Sequence, residues 1–268
     1  MRRIKGVLGR APELNASVTS HACIPLGADA DVDQSGHDGE SWVEDTITFG
    51  DATVRLKHLT GNDNWSMPYM GLHIWPGARL LCEDMAARVS AYIHQRTVLV
   101  LGAGTGLEGI VNAAVCAGSG DKRIICLTDG AVPSCELMEE NVALNAPAPS
   151  GTTFHVCRLR FGEANDHLKL PLQTGWDCVA ICDSTFDYEL VPSVLRTLEM
   201  LQPRSIVVCS ITGGAPAFER FTEGVSTLGF YLADPAQLPS EPTSRAARRV
   251  VLRFELPPIA VDTTPSDN

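Results

Sequence analysis

From Thr97 onward the chain alternates short apolar runs with stretches whose apolar residues recur every three or four positions. The runs are TVLVL, RIICLTD, TTFHVCRL, DCVAICD and SIVVCSI, and helical periodicity begins at Glu108, Val132, Val191 and Ala215. Runs that are apolar throughout belong to strands buried on both faces, and helices between them make the crossovers of a parallel sheet. Two more strand patterns, GFYLAD and RRVVLRFEL, are joined by a Pro- and Ser-rich connector with no helical pattern. The expected core is therefore α/β, a seven-stranded, mostly parallel sheet with helices on both faces and an antiparallel final pair at one edge.

Ahead of this core, DTITFGDATVRLKHL alternates apolar and polar positions on both sides of Gly50 and Asp51, the pattern of a hairpin closed by a tight turn. Pro76 stands where a helix can start, and Leu80, Leu81, Met85 and Val89 share one helical face. They predict a helix of about four turns from Ala78 to near His94. Residues 1–41 are rich in Gly, Asp, Ser and Pro without periodicity and read as a disordered or loosely tethered arm. Residues 42–76 form the hairpin and a connector, 77–256 the core, and 257–268 a flexible tail.

Composition narrows the picture without naming a chemistry. A formal net charge of −11 disfavours a nucleic-acid partner, which needs clustered Lys and Arg, and suits a basic protein partner better. The apolar runs fall far short of the roughly 20 residues that span a bilayer, so no membrane segment is expected. Nine cysteines without a C-x-x-C pair or zinc spacing argue for a reducing compartment and against a metal site. The cytoplasm is the expected location, with the nucleus as a second; an Arg-, Ser- and Ala-containing start leaves a mitochondrial address as the lesser alternative. A monomer is expected.

The chemistry sits in TVLVLGAGTGLEGIVNAA, where Gly102, Gly104 and Gly106 follow a strand and precede a helix. Glycines let the backbone turn tightly and approach a ligand, and the helix N-terminus behind them offers free N–H groups. Gly104, Gly106 and Gly109 also spell G-x-G-x-x-G, so this loop alone admits a nicotinamide dinucleotide as readily as an adenosyl cofactor. One strand later Asp129 ends RIICLTD, where a carboxylate can accept hydrogen bonds from two ribose hydroxyls; an Asp at such a place can equally cap the next helix.

Four segments together resemble a known family: IWPGARLLCEDMA, LGAGTGLEGI, RLRFGE and CDSTFDYELVPSVLRTL. They are similar to motifs of the seven-β-strand protein-lysine methyltransferases, which include methyltransferase-like, calmodulin-lysine and elongation-factor-lysine enzymes. The resemblance runs from near Glu44 to Glu255 and implies a Rossmann-like class I methyltransferase fold with S-adenosylmethionine as cofactor and S-adenosylhomocysteine as product. It places Trp75 beside the cofactor, Gly102, Ala103, Gly104 and Gly106 in the cradle, Asp129 and Gly130 at the ribose, and Phe161 at the adenine with Arg160 next to it. Cys182 lends backbone beside the adenosyl group. Asp183 and Phe186 match the two defining positions of the family's D-x-x-Y/F run and are the expected catalytic pair. Tyr188 and residues near Trp65 and Tyr69 are expected at the rim.

The implied partner is a protein substrate, of translation-factor or chaperone type. In the chemistry expected, a sulfonium brings its own leaving group, so the protein supplies alignment, exclusion of water and charge placement rather than a nucleophile. A lysine with a solution pKa near about 10.4 must lose its proton to react, and Asp183 suits orientation better than the role of simple base. One departure stands out. Many members carry an acid two places before the first loop glycine, where it helps to anchor the methionine part of the cofactor; this chain has Val100. That substitution favours the alternative of a weak or inactive methyltransferase-fold module that binds a protein. A small-molecule methyltransferase is the other alternative.

Overall fold

Alternation along the hairpin becomes a small antiparallel sheet. The structure, a computed structural model, describes residues 18–24, 41–61, 69–149, 151–184, 187–210, 215–233 and 250–257. Strands β2 (Ser41–Phe49) and β3 (Ala52–Thr60) pair from Phe49↔Ala52 to Ser41↔Thr60 around the Gly50–Asp51 turn. Ile47, Phe49, Val54 and Leu56 face inward, where they pack against helix α1 (Pro76–Ala87) and helix α2 (Leu107–Val115). Within the stretch expected to be a loose arm, Val18–Ile24 forms strand β1, antiparallel to β2. An edge strand such as β2 presents unpaired backbone groups, and β1 satisfies them.

The core sheet has the order β6-β5-β4-β7-β8-β10-β9. Its strands are β4 (Thr97–Leu101), β5 (Arg123–Asp129), β6 (Thr152–Arg158), β7 (Cys178–Cys182), β8 (Ser205–Ser210), β9 (Tyr231–Leu232) and β10 (Val250–Glu255). Strands β4 to β8 run parallel. The chain winds outward from β4 through β5 to β6, then returns to lay β7 on the other side of β4. That reversal opens a crevice beyond the C-terminal ends of β4, β5 and β7, where ligands bind in such sheets. The last strand is antiparallel and the final pair occupies one edge of the sheet, as expected. Strand β10 is inserted between β8 and β9, pairing with both, so that the two-residue β9 is the border.

Side chains of successive strand residues point to opposite faces, and the two faces are filled by different helices. Leu99, Leu101, Val179, Ile181, Ile206 and Val208 pack on helices α5 (Val191–Leu201) and α6 (Ala215–Thr227). Val98, Val100, Ile125, Leu127, Ala180 and Val207 pack on the other face with Leu81 and Met85 of α1 and Met138 of helix α3 (Val132–Leu144). The helix expected from Ala78 to near His94 is shorter: α1 ends at Ala87 and a 3-10 turn, Val89–Ala91, follows. Asp84 explains the stop, because its carboxylate pairs with Arg88 and accepts the Tyr92 hydroxyl at 2.5 Å. Pulling Tyr92 into the core at 1% exposure requires the chain to leave the helical path.

A candidate cofactor pocket

The crevice at the reversal point contains a cavity of about 670 Å³. Its floor is the loop after β4. Gly102, Gly104 and Gly106 all have left-handed backbone, with φ of 65°, 53° and 80°. At Gly104 the requirement is doubled, because a Cβ would also stand 2.7 Å from the Gly71 carbonyl, where the connector comes down on the loop. Met70, Gly71, His73 and Trp75 form this roof, and the Trp75 indole N–H donates to the Met70 carbonyl at 2.8 Å.

Asp129 bridges the loops that follow β4 and β5. Its Oδ2 accepts the Gly104 N–H at 3.1 Å and its Oδ1 the Ala131 N–H at 2.9 Å. Burial raises its pKa above the ordinary carboxylate value, and the Ala131, Gly104 and Gly130 N–H groups oppose that shift. Asp129 does not cap helix α3, whose N-cap is Ala131 without a side-chain cap; it closes the turn ahead of that helix and lines the cavity. Beyond it lie Gly130, Arg158, Leu159, Arg160 and Phe161. Arg158 donates to the Gly130 carbonyl at 2.9 Å. Arg160 is committed to Asp166 of the short helix α4 (Ala164–His167), with Nε to Oδ2 at 2.7 Å, and that pairing holds the Asp166 carboxyl well below its usual pKa.

Asp183 follows β7 with a left-handed φ of 50° and is 7% exposed. Its Oδ2 accepts the Gly77 N–H at 2.9 Å, at the N-terminus of α1, so it ties that helix to the sheet across 106 residues of sequence. A Cβ on Gly77 would collide with this carboxylate, which accounts for the glycine in the WPG entry. Ser184 secures the same turn, its hydroxyl donating to the Cys182 carbonyl at 3.1 Å, with the Leu101 carbonyl at 3.3 Å.

Of the residues expected from sequence, Trp75, Gly102, Ala103, Gly104, Asp129, Gly130, Arg160, Phe161, Cys182 and Asp183 all line this one cavity. Gly106 does not. It lies behind the loop, where a Cβ would meet Leu127 and Met138, and it serves the turn into α2. Phe186 and Trp65 lie outside the described residues. Tyr69 and Tyr188 are absent from the lining; Tyr188 is exposed, with the Arg220 guanidinium 4.2 Å above its ring.

Glu108 was missed. It sits in the first turn of α2, lines the cavity and is only 2% exposed. Burial, reinforced by the Asp183 and Asp129 charges, pushes its carboxyl up to about 7, against hydrogen bonds from its own backbone N–H and the Cys182 thiol. An acid in a first helical turn is ordinary, which hid it. The available signal was that it is the only charged residue between Leu107 and Val115.

The glycine loop left two cofactor classes open, and the relatives separate them. The parallel sheet with β10 turned against β8 is the architecture that the resemblance implied, that of a class I methyltransferase, whose methyl donor is S-adenosylmethionine. A model of lysine methyltransferases matches residues 55–223, and the chain belongs to that family. Protein N-lysine methyltransferase METTL21A of Danio rerio is 31% identical over 162 residues, which cover 60% of this chain and 67% of that protein. Calmodulin-lysine N-methyltransferase of Arabidopsis thaliana is 28% identical over 127 residues, 47% of this chain and 39% of its own length. Among solved structures, a putative SAM-dependent methyltransferase from Streptococcus mutans shares the fold with a TM-score of 0.51 at 16% identity, covering 80% of this chain and 55% of that one.

The pocket residues fit such a cofactor on two observations. The loop is a cradle that only glycine permits at Gly104, beside a carboxylate, Asp129, that backbone N–H groups fix at the cavity wall. In addition, Glu108 Oε2 is buried with no hydrogen-bond partner among the described residues, an acceptor waiting for a donor.

Proposed function

We propose that this protein transfers the methyl group of S-adenosylmethionine to the side-chain amine of a lysine in a protein substrate. The observation that carries the reading is the convergence of ten expected residues, from five separate segments, on one cavity at the point where the strand order reverses. When bound, the cofactor supplies a methyl group activated on a sulfonium. The chain's residues do the rest. Asp129 accepts the ribose hydroxyls, Phe161 packs against the adenine, and Trp75 holds the connector over the site through its bond to Met70.

Asp183 and Phe186 serve the substrate side. Asp183 is a positioned acceptor anchored to the start of α1, and it orients the incoming amine while apolar walls favour the neutral form. In-line attack then needs alignment and a dry channel, not a nucleophilic side chain. The overall charge of −11 suits a basic segment of a translation-factor or chaperone-type protein. We assign the enzyme to the cytoplasm, with the nucleus as a second location, and to the monomeric state.

The test is a radiolabelled methyl-transfer assay on a lysate, with mass spectrometry of the labelled band. Asp183→Ala is expected to lose methyl transfer by about 100-fold or more, in the range seen when a transition-state contact is deleted. S-adenosylhomocysteine binding should stay within several-fold of the native value. Unchanged turnover would remove Asp183 from the mechanism. A second reading, an inactive module that binds a protein, draws on Val100, which is 1% exposed in an apolar cluster and supplies no acid to the cofactor.

A further inference from the structure

We propose that the carboxylate of Glu108 holds the α-ammonium of the cofactor's amino-acid end. The proposal rests on the cofactor reading above and deepens it.

Three observations converge on this residue. Glu108 lines the cavity, is 2% exposed, and has an oxygen, Oε2, with no partner among the described residues. A buried carboxylate with an unused lone pair is costly, so a site that retains one is built to receive a donor. The charges that face it are of its own sign: Asp183 at the end of β7 and Asp129 at the end of β5. With its carboxyl pushed up to about 7, Glu108 is poised to be drawn fully into the charged form by an arriving cation. The N-terminus of α2, where Glu108 occupies the first turn, favours that charged form.

Position selects which cation. Strands β5 and β7 flank β4 on opposite sides, so the ribose acid Asp129 lies on one side of the glycine loop. Glu108 has Cys182 and Asp183 of the other side, and Cys82 of α1, as its neighbours. A cofactor whose sugar lies at Asp129 and whose chain crosses Gly102–Gly104 brings its amino-acid end towards Glu108. The sulfonium has no hydrogen to donate to Oε2, whereas an ammonium has three. The substrate amine is already assigned to Asp183, which is anchored at the start of α1.

Calorimetric titration of the full chain with three probes tests this. S-adenosylmethionine and S-adenosylhomocysteine both carry the ammonium; 5′-methylthioadenosine keeps the adenosine and sulfur but lacks the amino-acid part. Loss of one charge-assisted bond predicts that Glu108→Gln weakens the first two by about 10- to 100-fold. The third should be unchanged. Equal weakening of all three, or of S-adenosylmethionine alone, or of none, would overturn the assignment. A native protein that binds S-adenosylhomocysteine not at all overturns the cofactor reading itself, a different outcome from a native and a variant that bind it equally. The melting temperature of the variant reports its folding. Should Glu108→Gln fail to fold, Glu108→Asp, which keeps the charge but withdraws it, should show the same split between S-adenosylhomocysteine and 5′-methylthioadenosine.

Discussion

The two ends of the core sheet treat buried charge in opposite ways. At the N-terminal ends of the strands, each charge is answered locally. Asp177 Oδ2 accepts the Arg96 and Thr97 N–H groups at 2.9 and 3.0 Å, and the Thr97 hydroxyl takes the Asp177 N–H at 2.9 Å. Arg123, 2% exposed, donates to the carbonyls of Tyr92, Ile93 and Gln95 and to Asn112. At the C-terminal ends Asp129, Glu108 and Asp183 converge on one cavity, while the nearby Arg160 is held by Asp166. One end closes the fold; the other gathers like charges at one cavity, the usual arrangement of a functional site.

The contrast can be broken from either side. The largest effect is expected for Arg123→Met, which orphans several buried acceptors and should cost about 3–5 kcal/mol, or a fall in melting temperature of about 10 °C. S-adenosylhomocysteine affinity, measured on the folded fraction, should not change; a lost site would mean that the two ends are not independent. Glu108→Gln should do the reverse. A carboxyl raised from 4.5 to about 7 in the folded state binds protons more tightly there than when unfolded, so its ionisation subtracts stability as pH rises from 4.5 to 7. The cost is fully present above 7 and absent below 4.5. The variant should therefore gain on the order of 3 kcal/mol at pH 8, shrinking to nothing near pH 4.5, in denaturant titrations of ligand-free protein. A destabilised variant at pH 8 would contradict the buried, unanswered charge.

Smaller changes sharpen the picture. Asp177→Ala removes two charge-assisted bonds and should lower stability by about 2 kcal/mol, with cofactor binding intact. Native affinity for S-adenosylhomocysteine should rise with pH up to about 7 and then level off, because Glu108 must be charged to bind while the facing Cys82 and Cys182 thiols, raised by burial, stay neutral. A flat profile from pH 5.5 to 8 would speak against that. The smallest effect is expected for Phe161→Ala, about 1 kcal/mol or fivefold in affinity, from loss of the ring beside the cradle.

Much of this is written in local pattern. Largely apolar runs mark β4, β5, β7 and β8 because those strands are covered on both faces, whereas the edge strand β6 is only partly buried, and the loop glycines announce themselves through conformations that other residues avoid. What stayed hidden depends on partners distant in sequence. The end of α1 is set by Asp84 reaching Tyr92, and the insertion of β10 between β8 and β9 is a matter of sheet order. Strand β1 depends on the free edge of β2 rather than on its own composition. Glu108 is the sharpest case: its sequence context is that of a routine helix start, and only the fold shows its oxygen without a partner among the described residues. Asp183 was legible as a motif, but its hold on Gly77 was not.

The most direct test of the cradle is a calorimetric titration of S-adenosylhomocysteine into the native chain, Asp129→Ala and Asp177→Ala. One site per chain is predicted for the native protein and for Asp177→Ala with equal affinity, and binding at least about 30-fold weaker for Asp129→Ala, which loses the acceptor for the ribose. No heat with the native protein, or equal affinity in all three, would contradict the account.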